Sequence, residues 1–425
     1  YAQRQPRELA ALPGVRWVVG NAEKHAIGQL LSEHSASCAP SEPSRGSWVP
    51  VEQLLAPSSP TPEIAFHTLA SPLPSSEPSG GAEIIVGDIF AQREFLSAPV
   101  LGKTAGDRTR PTLKIQDGCN NRCSFCVIPF VRGRSRSLPP PDVARQIRAL
   151  CDAGYREVVL SGINLGRYGR DLEDRVRFAR LVRMILDETP LERLRLSSVE
   201  PMDFTDELLD LMAGSPRIAQ HVHAPLQSGS DHILRRMHRK YQARHYRERI
   251  LAAYARMPNV AFGADVMVGF PGESAEDFVQ TRRLIESLPF TYLHVFPFSR
   301  RPGTPADTLP DQVPGAVARE RGRILRELAT GKNRRFRERQ LGRILSVLTL
   351  EDRAESGTCA LSDNYLKVIL AGEQMPANRL MDARIVSLTD EGLLGEEIPR
   401  LPQSRGAANG HQEVESPSMM TCASA

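Results

Sequence analysis

The sequence predicts an α/β protein: a partial (β/α)6 barrel, preceded by the remnant of an amino-terminal α/β unit and followed by a small antiparallel β-barrel. Three observations carry this. Between about residues 110 and 298, apolar strand-length runs alternate six times with helix-length amphipathic stretches, the pattern of parallel βαβ units. From 343 to 397 the runs are short, β-like and separated by glycines and polar turns, as in a small closed sheet. The 425 residues, 41% hydrophobic and 24% charged, suit two or three globular domains.

Residues 1–34 read as the end of a compact unit. Glu8–Leu12 is helix-like, Val15–Asn21 is a short strand closed by Gly-Asn, and a helical pattern covers Lys24–Leu31. The chain starts at Tyr1 rather than Met, as though cut from something longer. Residues 35–82 are rich in Pro, Ser and Glu, with too little apolar surface to offset ordering, and are expected to be a flexible linker.

The central domain is expected over 105–331. Its strands are predicted at Thr112–Gln116, Glu157–Ser161, Arg193–Ser198, His221–Pro225, Ala261–Val268 and Thr291–Phe296. Its helices are predicted at Pro141–Ala153, Arg175–Glu188, Thr205–Ala213, Ser230–Met237, Ala243–Arg256 and Ser274–Leu288. Chemistry in such barrels sits at the carboxyl ends of the strands. Residues 315–340 read as a basic helix. The last domain, 332–398, is expected to carry strands Arg343–Leu350, Tyr365–Leu370, Ala383–Ser387 and Leu393–Glu396. Residues 399–425 are Pro-, Ser-, Gly- and Ala-rich and are expected to be disordered.

A net charge of +4 permits nucleic-acid binding without arguing for it. No run of eighteen apolar residues suggests a membrane span, and no secretory signal is visible. Seven cysteines with three in one loop do not form a secreted disulfide framework. They point to a reducing cytoplasm and a metal site.

Those three are Cys119, Cys123 and Cys126, a C-x-x-x-C-x-x-C spacing directly after the first predicted barrel strand. Thiolates suit iron–sulfur clusters and zinc. A structural zinc site closes with four ligands, and no fourth cysteine or histidine follows nearby. Three thiolates on a four-iron cluster leave one iron open for a ligand. A zinc site completed by a distant histidine is the alternative.

A marked loop follows each later strand. Gly162 and Gly269 allow close backbone approach to a bound cofactor. Glu200 can accept from an ammonium or a ribose hydroxyl, and Gln227 offers both donor and acceptor. No acid–base catalytic pair is nominated.

Together these segments resemble the radical S-adenosylmethionine methylthiotransferases, over nearly the whole chain outside 35–82 and the tail. The resemblance rests on the cysteine loop continuing into Val127-Ile128-Pro129-Phe130-Val131-Arg132-Gly133-Arg134-Ser135-Arg136-Ser137 and on the ordered strand-end loops. Ile115–Cys119, Tyr168–Asp171 and Phe296–Gly303 are most similar to the branch acting on threonylcarbamoyladenosine in tRNA. The resemblance implies a 4Fe–4S cluster on Cys119, Cys123 and Cys126, with S-adenosylmethionine on the open iron. It further implies hydrogen abstraction at C2 of the modified adenosine beside the anticodon by a 5′-deoxyadenosyl radical, followed by methylthio insertion. It makes the central domain a radical-SAM barrel and the small one similar to the RNA-binding TRAM module. The implied partners are the tRNA anticodon arm, a flavodoxin-type electron donor and a sulfur donor.

The family also carries a second 4Fe–4S cluster on three amino-terminal cysteines. Their counterparts would precede Tyr1, and Cys38, Cys151 and Cys359 are poor replacements, so this chain is expected to lack those ligands. Two other readings stand beside the first: methylthiolation of a ribosomal-protein aspartate, or an inactive fragment that binds RNA. The basic run holding Arg334, Arg335, Arg337 and Arg339 is expected to track RNA phosphates.

Overall fold

The computed structural model describes residues 1–37, 82–93, 95, 109–354, 357–390 and 392–398. Most of the expected linker (35–82), residues 105–108 and the expected tail (399–425) lie outside these.

The amino-terminal unit consists of α1 (Pro6–Ala10), β1 (Trp17–Val19), a 3₁₀ turn (Asn21–Ala26) and α2 (Ile27–Ser37). It is completed by β2 (Glu83–Ile85), which pairs in parallel with β1 from Trp17↔Glu83 to Val19↔Ile85. The sequence analysis placed no strand there, because three residues show no period. It also ended the unit at residue 34, whereas α2 runs on to Ser37.

In the central domain, β3 (Thr112–Asp117), β4 (Arg136–Ser137), β5 (Glu157–Gly162) and β6 (Arg193–Leu196) form a sheet in the order β4-β3-β5-β6. β7 (His221–His223), β8 (Ala261–Val268) and β9 (Tyr292–Pro297) form a second sheet. Only the edge strand β4 is antiparallel. The sheets meet at the Leu194↔Ile218 bridge and at Val199 N–H donating to His223 O (3.0 Å). Thr112, Val159, Arg195, His223, Asp265 and Tyr292, one from each parallel strand, line a single cavity. The two sheets therefore curl around a common interior.

Helices cover the outside, as parallel sheets buried on both faces require. They are α3 (Ile128–Arg132), α4 (Pro140–Asp152), α5 (Phe178–Glu188), α6 (Asp206–Gly214), α7 (Asp231–Arg236), α8 (Ala243–Arg256) and α9 (Ala275–Ser287). In α4 the prolines at the first turn need no N–H partner, and Val143, Ala144, Ile147 and Leu150 form its buried stripe. Ser274 and Asp277 close a reciprocal capping box at the start of α9.

α10 (Gly315–Glu338) is one unbroken helix, so the boundary expected between 331 and 332 falls inside it. The carboxy-terminal domain is a closed barrel of β10 (Ile344–Ala354), β11 (Gly357–Ser362), β12 (Lys367–Leu370), β13 (Leu380–Leu388) and β14 (Leu393–Ile398), in the order β10-β11-β12-β14-β13. It differs from the four antiparallel strands expected. β12 and β14 pair in parallel, and β11 is a fifth strand. The inward residues of β11 include Thr358, Ala360 and Ser362, too small and polar to mark a strand in the sequence. Thr358 Oγ1 accepts from Met375 N–H and Ser362 Oγ from Leu366 N–H, so this polar interior is satisfied.

The small barrel docks on β6. Arg195 donates to Ser362 O and Asp363 O (both 3.1 Å), and Arg193 donates to Ser346 Oγ (2.5 Å). Both arginines also hold Glu157, which is fully buried. Burial pushes the Glu157 carboxyl up, but the guanidiniums of Arg195 and Arg193 outweigh this and hold it below the usual range. Among the described residues no helix is long and apolar enough to cross a membrane.

Candidate active site

The three cysteines lie in the loop leaving β3, at the carboxyl end of the parallel sheet where the sequence placed them. Buried Gln116 fixes the loop. Its Nε2 donates to Asp117 O (2.9 Å) and Gly118 O (2.8 Å), and its Oε1 accepts from Asn164 N–H (2.8 Å) in the loop after β5. Cys119 N–H donates to Gly133 O (3.1 Å). Ser124 N–H donates to Met237 O, its Oγ to Arg236 O, and its carbonyl accepts from Ala306 N–H. Backbone from four separate segments thus holds the thiols half-buried.

Burial raises the thiol pKa of Cys119 and of Cys126. Metal loading must therefore displace protons. Among the described residues the one trio of ligand atoms within 4.8 Å of one another is His223, Asp265 and His294, not the cysteines. Three thiols on one loop match the soft-ligand preference of a 4Fe–4S cluster.

Two buried amide oxygens near this mouth have no partner: Asn164 Oδ1 and Gln227 Oε1. Gln227 also carries φ +62°, unusual for a side chain of its size. Its backbone is held there by Gln227 N–H to Asp265 O (2.8 Å) and Met267 N–H to Gln227 O (2.9 Å). Such strain with an unmet acceptor is what a polar ligand's donors would satisfy.

Glu200, after β6, is only partly free, because Oε2 forms a short ion pair with Arg239. Arg239 Nη1 also reaches Cys123 Sγ (3.2 Å). Arg239 and Asn164 were not legible as site residues in the sequence. The only signal for Arg239 was its place in the basic run His238-Arg239-Lys240 just past α7.

The two nominated glycines are each required by the protein itself. A Cβ on Gly162 would lie 2.9 Å from both Gln116 Cβ and Leu165 Cδ2. Gly269 has φ +73°, and its Cβ would meet Ala318 Cβ at 2.5 Å.

Inside the barrel, lined by residues of all six parallel strands, lies a cavity of ≈ 580 Å³. Asp265 sits in its wall between His223 Nε2 and His294 Nδ1, 3.2 Å from each. Burial works against its charge, but the hydrogen bonds from His223 and His294 hold the carboxyl well below the usual range. Tyr292 OH bridges His221 Nε2 (2.7 Å) and His223 Nδ1 (2.9 Å).

The expected phosphate contacts divide. Arg334, Arg335 and Arg339 face solvent, Arg334 pairing with Glu338 (3.0 Å) and Arg339 donating to Tyr254 OH (3.3 Å). Arg337 points inward and donates to the carbonyls of Thr389, Asp390 and Gly392 at 2.8–3.3 Å. It ties α10 to the β13–β14 turn and is withdrawn from the RNA set. Lys332 is likewise turned in, onto Glu286 O and Leu288 O.

Residues 113–285 match the family model described as the Radical SAM superfamily. The chain is 33% identical over 393 residues to the Threonylcarbamoyladenosine tRNA methylthiotransferase MtaB of Bacillus subtilis (strain 168), covering 91% of this chain and 77% of that protein. It is 37% identical over 313 residues to the protein of the same name from Rickettsia prowazekii (strain Madrid E), covering 73% and 72%. It is 39% identical over 285 residues to the tRNA-2-methylthio-N(6)-dimethylallyladenosine synthase of Syntrophobacter fumaroxidans (strain DSM 10017 / MPOB), covering 66% and 62%. On this extent of shared sequence, the chain belongs to the tRNA methylthiotransferase family of radical SAM enzymes.

Proposed function

We propose that the chain takes part in methylthiolation at C2 of N6-threonylcarbamoyladenosine beside the anticodon of tRNA. The observation that carries this is 33% identity over 91% of the chain to a threonylcarbamoyladenosine tRNA methylthiotransferase, together with three thiols in the loop at the carboxyl end of β3. Cys119, Cys123 and Cys126 would hold a 4Fe–4S cluster, which supplies one electron to S-adenosylmethionine at its open iron and so a 5′-deoxyadenosyl radical. Gln227 and Asn164 would accept from the cofactor's donors at their unpartnered oxygens. Glu200 would offer its second oxygen while Arg239 steadies the first. The protein's share is to position, to exclude water and to tune the cluster, with Arg239 placing a positive charge beside Cys123.

The small closed barrel would act as a TRAM-like module, with Arg334, Arg335 and Arg339 on its lead-in helix contacting anticodon-arm phosphates. A sulfur donor, a flavodoxin-type reductant and a cytoplasmic setting belong to the same proposal. Nucleoside mass spectrometry of tRNA exposed to the chain with S-adenosylmethionine and reductant tests it. Any methylthio nucleoside formed should derive from threonylcarbamoyladenosine. Product only from dimethylallyladenosine, or only on ribosomal protein, would overturn the substrate assignment.

A further inference from the structure

Resting on that substrate reading, we infer that the floor of the cavity recognises the carboxylate-bearing N6 substituent of the target adenosine, with Arg110 as the carboxylate clamp. The C2–H and C6–N6 bonds of a purine diverge. With C2 turned to the cysteine mouth, the N6 substituent runs away from it, toward the strand starts. The six residues of β3 span about 17 Å. Arg110 precedes that strand, at the end remote from the cysteines.

Arg110 lines the cavity and is little committed. Among the described residues its one ion pair is with Glu157 Oε1 at 3.6 Å, and its side chain is 25% exposed. Its neighbours Arg193 and Arg195 spend their guanidiniums on Glu157, Ser346, Ser362 and Asp363. Three guanidiniums therefore surround one carboxylate, and Arg110 keeps the planar fork that a second carboxylate fits. Glu351 and Asp352, the other carboxylates lining the cavity with Asp265, are exposed on β10.

The remaining wall complements the rest of a threonylcarbamoyl group. Asp265, held anionic between two histidines, can accept from urea N–H groups or the threonyl hydroxyl. The Tyr292 ring occupies space beside Gly263, where an added Cβ would fall 2.0 Å from the ring's Cζ. A dimethylallyl group placed here would offer Arg110 and Asp265 no polar contact in exchange for the water it displaces, which disfavours it.

The test uses the full chain, anaerobically reconstituted, and fluorescence anisotropy with three anticodon stem-loops. They differ only at the adenosine beside the anticodon: unmodified, threonylcarbamoylated, or carrying the methyl ester of the threonyl carboxylate. The wild type should bind the free carboxylate roughly tenfold more tightly than the ester, the worth of one charged hydrogen-bonded pair. Arg110→Gln should abolish that preference and leave affinity for the unmodified loop unchanged, which also reports an intact fold. If Arg110→Gln fails to fold, Arg110→Lys, which keeps the charge but not the fork, should show a reduced preference in the same comparison. A variant that still separates acid from ester as the wild type does would overturn the inference alone. A wild type that does not favour the threonylcarbamoylated loop over the unmodified one would overturn the substrate reading, and the inference with it.

Discussion

At the carboxyl end of the barrel, the mouth, Cys119, Cys123 and Cys126 lie within one loop, half-buried and held by backbone hydrogen bonds. At the floor, Glu157 meets Arg193 and Arg195 from the neighbouring strand, and Arg195 reaches a carbonyl 168 residues further along. The mouth is local in sequence and chemically unfinished, with raised thiols and unmet amide oxygens waiting for what it binds. The floor is assembled from distant segments and electrostatically complete except at Arg110. One region is arranged for chemistry and the other to keep the central domain and the small barrel in register.

Substitutions should separate these roles. The largest effect is expected at the mouth. Serine at Cys119, Cys123 or Cys126 should take bound iron and sulfide from about four each per chain to near none after anaerobic reconstitution. Unfolding free energy of the unloaded chain should change by less than about 1 kcal/mol. A loss of stability as large as that expected at the floor would erase the distinction.

At the floor, Glu157→Gln should leave two buried guanidiniums uncompensated and cost about 3–5 kcal/mol in urea unfolding. A pH series sharpens this. The folded-state pKa of Glu157 is depressed, so its contribution is present above the unfolded value of about 4 and is lost as pH falls through the folded value. The gap between wild type and Glu157→Gln should therefore narrow on acidification. A gap that widened would mean the carboxyl is neutral in the fold.

The same contrast recurs within α10. Arg337→Ala removes the donor to three turn carbonyls and should cost about 1–3 kcal/mol without a specific effect on RNA. Arg334→Ala with Arg335→Ala should leave stability within about 0.5 kcal/mol. That pair should weaken binding to many tRNAs alike and lower the slope of log affinity against log salt by roughly 2. Unchanged slope would make these side chains a solvated helix face.

The division between local and distant also decided what the sequence could show. Three cysteines in eight positions announce themselves, and so do strands whose buried faces are Val, Ile and Leu, such as Val158–Leu160. A buried arginine looks like an exposed one. Nothing in the run from Lys332 to Arg339 marks Arg337 as inward, because its partners are carbonyls 52 to 55 residues away. Arg239 meets Glu200 and Cys123 across 39 and 116 residues, so its place at the mouth needed the fold. β11 was hidden for a related reason, since its interior is filled by Thr358, Ala360 and Ser362 rather than by large apolar side chains.

The central claim is that the thiol-bearing mouth acts on C2 of an adenosine whose N6 substituent lies on the polar floor. Its most direct test supplies the reduced, reconstituted chain with S-adenosylmethionine and a threonylcarbamoylated anticodon stem-loop deuterated at adenosine C2. The account predicts 5′-deoxyadenosine carrying one deuterium. 5′-Deoxyadenosine formed without deuterium, while the stem-loop is bound, would contradict it.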